Sequence, residues 1–597
     1  MEKDQKKTEV DLMNYNTVKA FFNKAYFNYF LILIILLIFN ALLDVIGIGF
    51  IPVFISFFID VNIFNKYIPN DLFEYLIINY KQKEIIYFVA FLLIFIFLLK
   101  NFFLIFFEYT QASIIKKIRH NVSVKVFKYF INQKYSFFVY SSKSELIRIL
   151  TTDVSKSISF FVELIRFFKE VIFTVVLFGF VLFLNSFWAI IIIFSILIVV
   201  IIFFNIIKKK IKYLANTIND QLEKQYKVIN EGIDSIKEII LTDKQKNIEN
   251  IFKKKIEDVE KNIFLNSFLQ SLGRPIFEIF SILSVIFISI YLISSDYDSK
   301  LVVPLLSLIS IIIIRLIPTV NSLSRSISVM LYLFPAFKNI ANILSDQLLD
   351  KGKKKLDNKE NIIFDFKKIS FNNVNFFHNN KKIFDNINFE IKKGEWFGVY
   401  GHSGSGKSTL LDLFSGLLDP SEGKIILNNN LDLREVKKIW QNKIGYVSQF
   451  NCFLDDTIIN NITFFDDELK KTDLNEIYKV LSKVNLEKFI NEREGGLDFR
   501  VGEKAIRLSG GERQRLGIAR ALFRRPEVII LDESTSSLNE EIEIEIMDNL
   551  KKNMTGETFV IISHKKENFK YCDKILCLNL KDKNILLDQN EFFKNYH

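Results

Sequence analysis

The residues from Gly401 to Thr409 have types and a spacing that suit them to holding a nucleoside triphosphate. They fit the pattern G-x-x-x-x-G-K-[ST] and follow an apolar, strand-like run at 396–400. Glycines let successive backbone N–H groups turn inward around phosphate oxygens, and the helix expected after them offers its positive end to the same anion. In this pattern the Lys407 ammonium reaches the β- and γ-phosphates, and the Ser408 hydroxyl binds Mg²⁺.

Four further motifs follow this loop along the chain. Gln449 ends the run Tyr-Val-Ser-Gln, Asp532 and Glu533 end an apolar strand, and His564 follows a second apolar run. Between Gln449 and Asp532, residues 508–515 read Leu-Ser-Gly-Gly-Glu-Arg-Gln-Arg. A helix is predicted over 511–521, so this motif includes the start of that helix. Five motifs in this order and spacing are not expected by coincidence.

The motifs together resemble the nucleotide-binding domain of an ATP-binding-cassette (ABC) transporter over about residues 364–590, and the signature at 508–514 is the most family-specific of them. The resemblance implies that Asp532 holds Mg²⁺ through water, that Gln449 completes the metal shell, and that Glu533 polarises the attacking water. It assigns His564 to the γ-phosphate. Positioning and charge stabilisation account for most phosphoryl-transfer catalysis, so these few groups suffice.

Two such domains are expected to meet head to tail, with ATP and Mg²⁺ between the phosphate loop of one and the signature of the other. The implied ATP-binding residues are Gly401, Ser403, Gly404, Ser405, Gly406, Lys407, Ser408 and Thr409 from the loop, and Ser509, Gly510, Gly511 and Glu512 from the signature.

Two positions depart from the pattern of the family. The aromatic residue that stacks on adenine is Tyr in many relatives, whereas here the candidates are Phe377 and His378, with a register that the sequence leaves open by one residue. Asn539 stands where the family usually has Asp. Asparagine keeps the hydrogen-bonding shape without the charge, so we expect communication between the two ATP sites to be altered and catalysis to survive.

The composition shows what must surround such a site. Half of the 597 residues are hydrophobic and 63 are Phe, which is too apolar for an ordinary soluble protein, and nearly all long apolar runs precede residue 340. The net charge of +11 comes from Lys and Arg beside these runs, which favours cytoplasmic flanks near anionic lipid over nucleic acid as a partner. We expect the three cysteines to be reduced and inert, and no cleaved signal peptide.

A helix needs about 20 mostly apolar residues to cross the hydrocarbon core. Six segments qualify: 27–58, 85–110, 158–184, 187–207, 264–293 and 301–320. The third and fourth are joined by a tight hairpin at Asn185-Ser186, and an external amphipathic segment is expected within 61–83. Long Lys-rich loops at 111–157 and 208–263 place both termini in the cytoplasm by the positive-inside bias.

The two basic loops continue a helical apolar pattern, and unstructured loops of that length are improbable in a compact protein. They resemble the membrane helices of ABC exporters, which extend into the cytoplasm and are capped by short coupling helices, expected here near 135–144 and 230–236. The predicted fold is an α-helical six-span transmembrane domain of the type I exporter (type IV ABC) class followed by an α/β P-loop ATPase domain. Its parts are a cytoplasmic segment 1–26, a transmembrane domain 27–340, a linker 341–363 and a nucleotide-binding domain 364–597.

Charges at bilayer depth are costly and usually face a cavity or a partner. Asp44, Lys100 and Arg315 interrupt three of the spans, and each is a candidate for the substrate cavity. The alternative to a role in the substrate cavity is a structural one. Lys100 would then extend toward the cytoplasm or form an internal ion pair, and Arg315 would pair with an acid such as Glu278. The residues around Arg315, the run at 43–47 and the external segment are similar to the bacterial flippase for lipid-linked oligosaccharides in N-glycosylation.

The favoured interpretation is an ATP-driven flippase or exporter that works as a homodimer in the bacterial inner membrane, with a lipid-linked glycan as its substrate. A peptide, bacteriocin or multidrug exporter is the alternative. Glu533 and His564 argue against a channel that ATP merely gates, and the six spans argue against a soluble ABC protein acting on ribosomes or DNA.

Overall fold

The structure is a computed structural model, and it describes residues 24–59, 82–183, 187–294, 299–353, 364–378, 381–449, 451–464, 474–534, 539–580 and 583–595. Internal contacts divide the chain into a helical unit, which comprises residues up to 133 together with 141–352, and an α/β unit, which comprises 134–140 together with residues from 353 onward. The segment Lys134–Tyr140, which lies between two stretches of the helical unit in sequence, therefore packs with the α/β unit.

The apolar runs of the first half form long helices because a backbone in hydrocarbon must satisfy its hydrogen bonds within one segment. The helices of the helical unit are α1 (Lys24–Ile59), α2 (Gln82–Ile131), α4 (Lys143–Arg148), α5 (Val154–Phe183), α6 (Phe187–Asp234), α7 (Ile236–Leu241), α8 (Gln245–Ser271), α9 (Gly273–Ser294) and α10 (Ser299–Lys353), with α3 (Tyr135–Tyr140) in the other unit. In the part that the structure describes, four stretches are long and apolar enough to cross a membrane, namely 28–51, 83–131, 245–291 and 309–346.

The expected spans 158–184 and 187–207 coincide with α5 and the start of α6, which are helical but not among those four. α5 carries five charged side chains within its first seventeen residues, which lowers its mean hydropathy. For several residues at the start of α6, the structure describes the helical backbone but not the side chain. The predicted hairpin at 185–186 lies outside the described residues, as does nearly all of the external segment 61–83.

The basic loops are helical, as predicted. α2 continues without a break from the second apolar run to Ile131, a length of roughly 75 Å at 1.5 Å per residue. The second short helix was predicted too early: it spans Ile236–Leu241 rather than 230–236, because α6 runs on to Asp234 before the chain turns. Helix α10 reaches Lys353, so the first part of the expected linker 341–363 is helical.

The α/β unit contains two sheets. Its strands are β1 (Lys368–His378), β2 (Lys381–Lys392), β3 (Trp396–Tyr400), β4 (Glu422–Leu427), β5 (Leu431–Asp432), β6 (Ile444–Val447), β7 (Val528–Asp532), β8 (Thr558–Ile562), β9 (Lys574–Leu580) and β10 (Lys583–Asp588). The first sheet is antiparallel with the order β2-β1-β4-β5, and the second has the order β10-β9-β3-β8-β7-β6 with parallel pairing from β9 to β6.

Helices pack on these sheets and complete the unit. They are α11 (Lys407–Phe414), α12 (Lys437–Gln441), α13 (Ile458–Thr463), α14 (Leu474–Lys483), α15 (Glu487–Asn491), α16 (Gly510–Phe523), α17 (Glu540–Asn553) and α18 (Gln589–Asn595). The parallel strands are buried on both faces, and residues 528–531 and 559–562 are consequently continuous apolar runs rather than alternating ones. The carboxyl ends of β3, β6, β7 and β8 lie at the same edge of the sheet.

The three cysteines differ in exposure: Cys452 is exposed, whereas Cys572 and Cys577 are buried, so we now expect only the last two to be inert. Burial raises the pKa of both buried thiols, that of Cys577 to about 11. Since the thiolate is the nucleophile, neither should react at neutral pH. We expect maleimide to label one thiol per native chain and three after unfolding in guanidinium, counted by intact mass. The Cys452→Ser variant should take up no label when native; native labelling at Cys572 or Cys577 would contradict the buried placement.

Candidate functional site

The phosphate loop connects the end of β3 to the start of α11. Gly404 and Gly406 have φ angles of 81° and 95°, a region that favours glycine, and Gly406 is the N-cap of α11. A Cβ at Gly406 would lie 2.9 Å from Cγ2 of Ile383 on β2. The loop therefore needs glycine at this position for both its turn and its close approach to the antiparallel sheet.

Lys407 points back into the loop it follows. Its Nζ donates to the carbonyl oxygens of Gly401 at 2.8 Å and His402 at 3.2 Å, and the residue is only 8% exposed. Burial lowers the pKa of its ammonium. Ser408 and Thr409 follow in the first turn of α11, so the lysine, two hydroxyl residues and the N–H groups of the helix start all belong to the loop end where phosphates would bind.

Gln449, Glu533 and His564 meet beside this loop, because they follow three neighbouring strands. Glu533 Oε2 accepts a hydrogen bond from Gln449 Nε2 at 2.7 Å, and its Oε1 lies 2.8 Å from His564 Nε2. The backbone of Glu533 has a φ of 48°, in the left-handed region, and its N–H donates to Ile562 O at 3.0 Å. Strain of this kind concentrates at functional sites. Both oxygens of the Glu533 carboxylate are thus oriented by side chains from adjacent strand ends.

Asp532 has a partner that the sequence reasoning missed. The hydroxyl of Tyr446, on β6, donates to Asp532 Oδ2 at 2.9 Å. Burial raises the pKa of the Asp532 carboxyl above its usual range, and the Tyr446 hydrogen bond opposes that rise. The sequence did contain a signal for this contact, because Tyr446 is the outward-facing residue between two buried residues at the end of β6.

A second set of side chains supports the turn that carries His564. The Ser563 hydroxyl accepts hydrogen bonds from Asn568 Nδ2 and from the backbone N–H of Lys565, both at 3.0 Å. Asn568 also donates to the buried Glu543 carboxylate at 2.7 Å, and Lys565 forms an ion pair with the same carboxylate. A turn with this many fixed groups holds the His564 ring in place beside Glu533.

The signature residues form the start of α16. Ser509 is its N-cap, and the pair makes a capping box: Glu512 N–H donates to Ser509 Oγ at 3.3 Å, and Ser509 N–H donates to Glu512 Oε2 at 2.7 Å. Gly510 and Gly511 occupy the first turn without side chains. The backbone N–H groups there are consequently accessible to an anion that approaches the helix end.

The oxygen donors at this edge fit a magnesium ion. Mg²⁺ prefers few carboxylates together with waters and phosphate oxygens. Asp532 supplies the carboxylate, Gln449 a side-chain amide oxygen, and Ser408 a hydroxyl at the start of α11. Gln449 and Asp532 both lie at the carboxyl ends of the parallel strands.

The candidate adenine-stacking residues lie at the end of β1. Phe377 faces outward and is 41% exposed, with Lys382 Nζ 5.9 Å from the centre of its ring. His378 is half-buried, and its ring stacks on Tyr140 of α3. Phe377 is thus the more exposed candidate, and His378 is the candidate whose ring is held by another aromatic ring.

The helical unit contains a cavity of about 650 Å³ that the sequence reasoning did not anticipate. Its lining combines three arginines with one acid, two polar side chains and an apolar wall: Arg166, Arg274, Arg325, Glu278, Asn321, Ser322, Ile314, Ile317 and Pro318. Arg166 pairs with Glu163 at 2.7 Å, whereas Arg274 and Arg325 form no ion pair with another described residue. These arginines come from α5, α9 and α10, so their convergence depends on helix packing.

The three charged candidates from the sequence lie elsewhere. Lys100 is buried and pairs with Asp44 of α1, in agreement with the internal ion pair considered for it. Arg315 is half-buried and forms no ion pair with Glu278 or with any other described acid. It does not line the arginine cavity, although its neighbours Ile314 and Ile317 do.

Comparison with known families gives two matches in succession. Residues 30–316 match the ABC transporter transmembrane region, and residues 384–536 match the ABC transporter domain. The predicted order of a helical membrane region followed by an ABC ATPase domain is therefore confirmed.

Individual relatives match over different lengths. The heterocyst differentiation ATP-binding protein HepA of Nostoc sp. is 27% identical over 477 residues, which cover 79% of this chain and 76% of that protein. The ATP-dependent lipid A-core flippase of Syntrophus aciditrophicus is 36% identical over 212 residues, 35% of each chain. The chain thus spans about a third of that relative's length, and it covers 37–38% of three putative export ATP-binding/permease proteins from Rickettsia.

The fold as a whole has a counterpart among solved structures. A bacterial Atm1-family ABC exporter with ATP bound aligns with a TM-score of 0.76, covering 96% of this chain and 97% of that one. At 17% identity this similarity concerns the fold alone.

Proposed function

This chain joins the transmembrane region of an ABC transporter to its ATP-binding domain, as an exporter-type half-transporter, and from that premise we propose that it moves an anionic, lipid-linked substrate across the bacterial inner membrane. ATP hydrolysis drives the movement, and a lipid-linked oligosaccharide is the substrate class that we favour. The observation that supports an anionic, amphipathic substrate is the arginine cavity of the helical unit.

The ATPase step follows from the strand-end geometry. Glu533 is the general base that orients the attacking water, and the two hydrogen bonds from Gln449 and His564 fix both of its oxygens. When ATP enters, Lys407 exchanges its two carbonyl partners for phosphate oxygens, which are stronger, charged acceptors. A bound Mg²⁺ would neutralise phosphate charge, with Asp532, Gln449 and Ser408 as the residues that hold it.

The signature completes the site from a second chain. The helix start at Gly510 and Gly511 presents N–H groups to an anion, whereas the Ser509 N–H already donates to Glu512. One chain supplies a single signature and a single phosphate loop. A homodimer with two composite sites uses every motif that the chain carries. In the proposed orientation both termini and the ATPase domain are cytoplasmic, because the Lys-rich stretches flank the apolar runs on that side.

The cargo chemistry follows from the lining of the cavity. Three guanidinium groups face one carboxylate, and guanidinium binds phosphate with two parallel hydrogen bonds. The wall formed by Ile314, Ile317 and Pro318 can cover an apolar part of the same molecule. In a smaller neighbouring cavity the charges balance, because Arg166, which lines both cavities, and Lys169 stand against Glu108 and Glu170, with Lys169 3.5 Å from Glu108. The larger cavity is therefore the one with excess positive charge.

Loss of this excess charge should impair transport. We expect Arg274→Gln combined with Arg325→Gln to lower flipping of a polyprenyl-pyrophosphate glycan in proteoliposomes at least about 10-fold, since two charge-assisted partners are removed. ATP hydrolysis without substrate should stay within about two-fold. Arg119→Gln, the same change at an exposed position of α2 outside the cavity, should leave transport unchanged.

Three further measurements distinguish an anionic lipid-linked substrate from a peptide substrate. Arg315→Ala should reduce flipping without loss of thermal stability if this residue also meets the headgroup, as the sequence suggests. Undiminished flipping by the double arginine variant at unchanged folded yield would remove the support for an anionic cargo. Stimulation of ATP hydrolysis by peptides but not by lipid-linked glycans would favour a peptide exporter instead.

A further inference from the structure

One aromatic contact joins the segment Lys134–Tyr140 to the end of β1. The rings of Tyr140 and His378 are stacked, with an angle of 13° between their planes and 5.7 Å between their centres. The Tyr140 hydroxyl lies 3.4 Å from His378 Nδ1. The two residues are 238 positions apart in sequence, and both belong to the α/β unit.

Strand geometry identifies which aromatic residue faces the phosphate loop. The pairing of β1 with β2 shifts register between Phe376 and Phe377, where Ile383 of β2 is skipped. Burial along β1 still alternates, with Phe376 buried, Phe377 exposed and His378 half-buried, so His378 lies on the same face as Phe376. Phe376 pairs with Phe384 of β2, and the ring of Phe384 would lie 3.0 Å from a Cβ at Gly406. His378 is therefore on the side of the nucleotide loop, whereas Phe377 faces away.

We propose that Tyr140 is part of the adenine-binding platform: it covers one face of the His378 ring and holds that ring so that its other face stacks on adenine. This inference rests on the ATP site of the proposed function. A free histidine side chain at the end of a strand would have to be ordered by the nucleotide, and Tyr140 removes that entropic cost before ATP arrives. Tyr140 is thus a positioning residue rather than a catalytic one.

The position of Tyr140 in the chain gives the contact a second consequence. Its segment connects α2 to α4, so the residue that buttresses the adenine platform is covalently continuous with helices of the helical unit. At the other end of the segment, burial and the nearby Asp412 carboxylate raise the pKa of Tyr135. Asp412 belongs to α11, the helix that begins with the phosphate-loop lysine. The segment therefore contacts the end of β1 through Tyr140, and Tyr135, the first residue of α3, lies near α11.

The test compares nucleotides with a ligand that lacks a base. The full-length chain in detergent is titrated calorimetrically with ATP and with inorganic tripolyphosphate, for the unmodified protein, Tyr140→Ala and Tyr140→Phe. We expect Tyr140→Ala to weaken ATP binding about 5-fold or more and to leave tripolyphosphate binding unchanged, since only the base is affected. Tyr140→Phe keeps the stacked ring and should retain most of the affinity.

Controls separate this role from a structural one. Phe138→Ala alters the same helix, where the Phe138 ring packs edge-on against Phe137, and it should leave both affinities unchanged. In steady-state hydrolysis, Tyr140→Ala should raise the KM for ATP and leave kcat within about two-fold. Equal losses for ATP and tripolyphosphate, or no loss for either, would overturn the proposal. Failure of the unmodified chain to bind ATP at all would instead overturn the proposed function.

Discussion

Replacement of Glu533 by Gln should reduce ATP hydrolysis at least about 100-fold while leaving ATP binding intact. The amide keeps the size of the side chain and can still contact Gln449 and His564, which lie 2.7 and 2.8 Å from its two oxygens. It cannot accept a proton from the attacking water. The loss should therefore appear in kcat rather than in the affinity for ATP.

The same variant should accumulate a closed dimer when ATP and Mg²⁺ are present, because the nucleotide that holds the two ATPase domains together is no longer consumed. Size-exclusion chromatography of the variant with and without ATP, together with retention of radiolabelled ATP, measures this directly. Phosphate release within a few-fold of the unmodified rate, at equal ATP occupancy, would remove Glu533 from its assigned role.

Much of the ATPase domain was predictable because its motifs lie at the ends of continuous apolar runs. The run at 396–400 predicted β3, and the run before Asp532 corresponds to β7. Once those strands pair in parallel, topology alone brings the residues that follow them to one edge. The meeting of Gln449, Glu533 and His564 follows from that rule, although they are separated by 84 and 31 positions.

The contacts that sequence reasoning missed depend on packing between distant elements. Tyr446 and Asp532 are 86 positions apart, and Tyr140 and His378 are 238 apart, so no local pattern marks either pair. The cavity arginines sit on three helices, and which faces of those helices converge is decided by side-chain packing over their whole length. The second short helix was predicted too early because Gly232, a residue typical of helix ends, lies inside α6, which continues to Asp234.

Assembly can be tested by mixing two inactive chains, Lys407→Ala and Ser509→Ala. In a head-to-tail homodimer each ATP site takes its phosphate loop from one chain and its signature from the other. A mixed dimer then has one site with both defects and one site with neither. Each variant alone should lose most of its ATP hydrolysis, because in the proposed site Lys407 supplies the charge at the phosphates and Ser509 caps the helix that would face the γ-phosphate.

Equal mixing should restore hydrolysis to about a quarter of the unmodified rate, since half of the dimers are mixed and half of their sites are intact. Loss of the Ser509 cap also removes about 1 kcal/mol of helix stability, so the melting temperature of each variant must be measured alongside its activity. A doubly substituted chain, Lys407→Ala with Ser509→Ala, mixed with either single variant should give no recovery and serves as the control. If the two inactive chains also fail to complement each other although cross-linking shows that mixed dimers form, each site must be built within a single chain. The arrangement of α16 would then need another explanation, because its accessible N–H groups would have no phosphate to meet across the dimer.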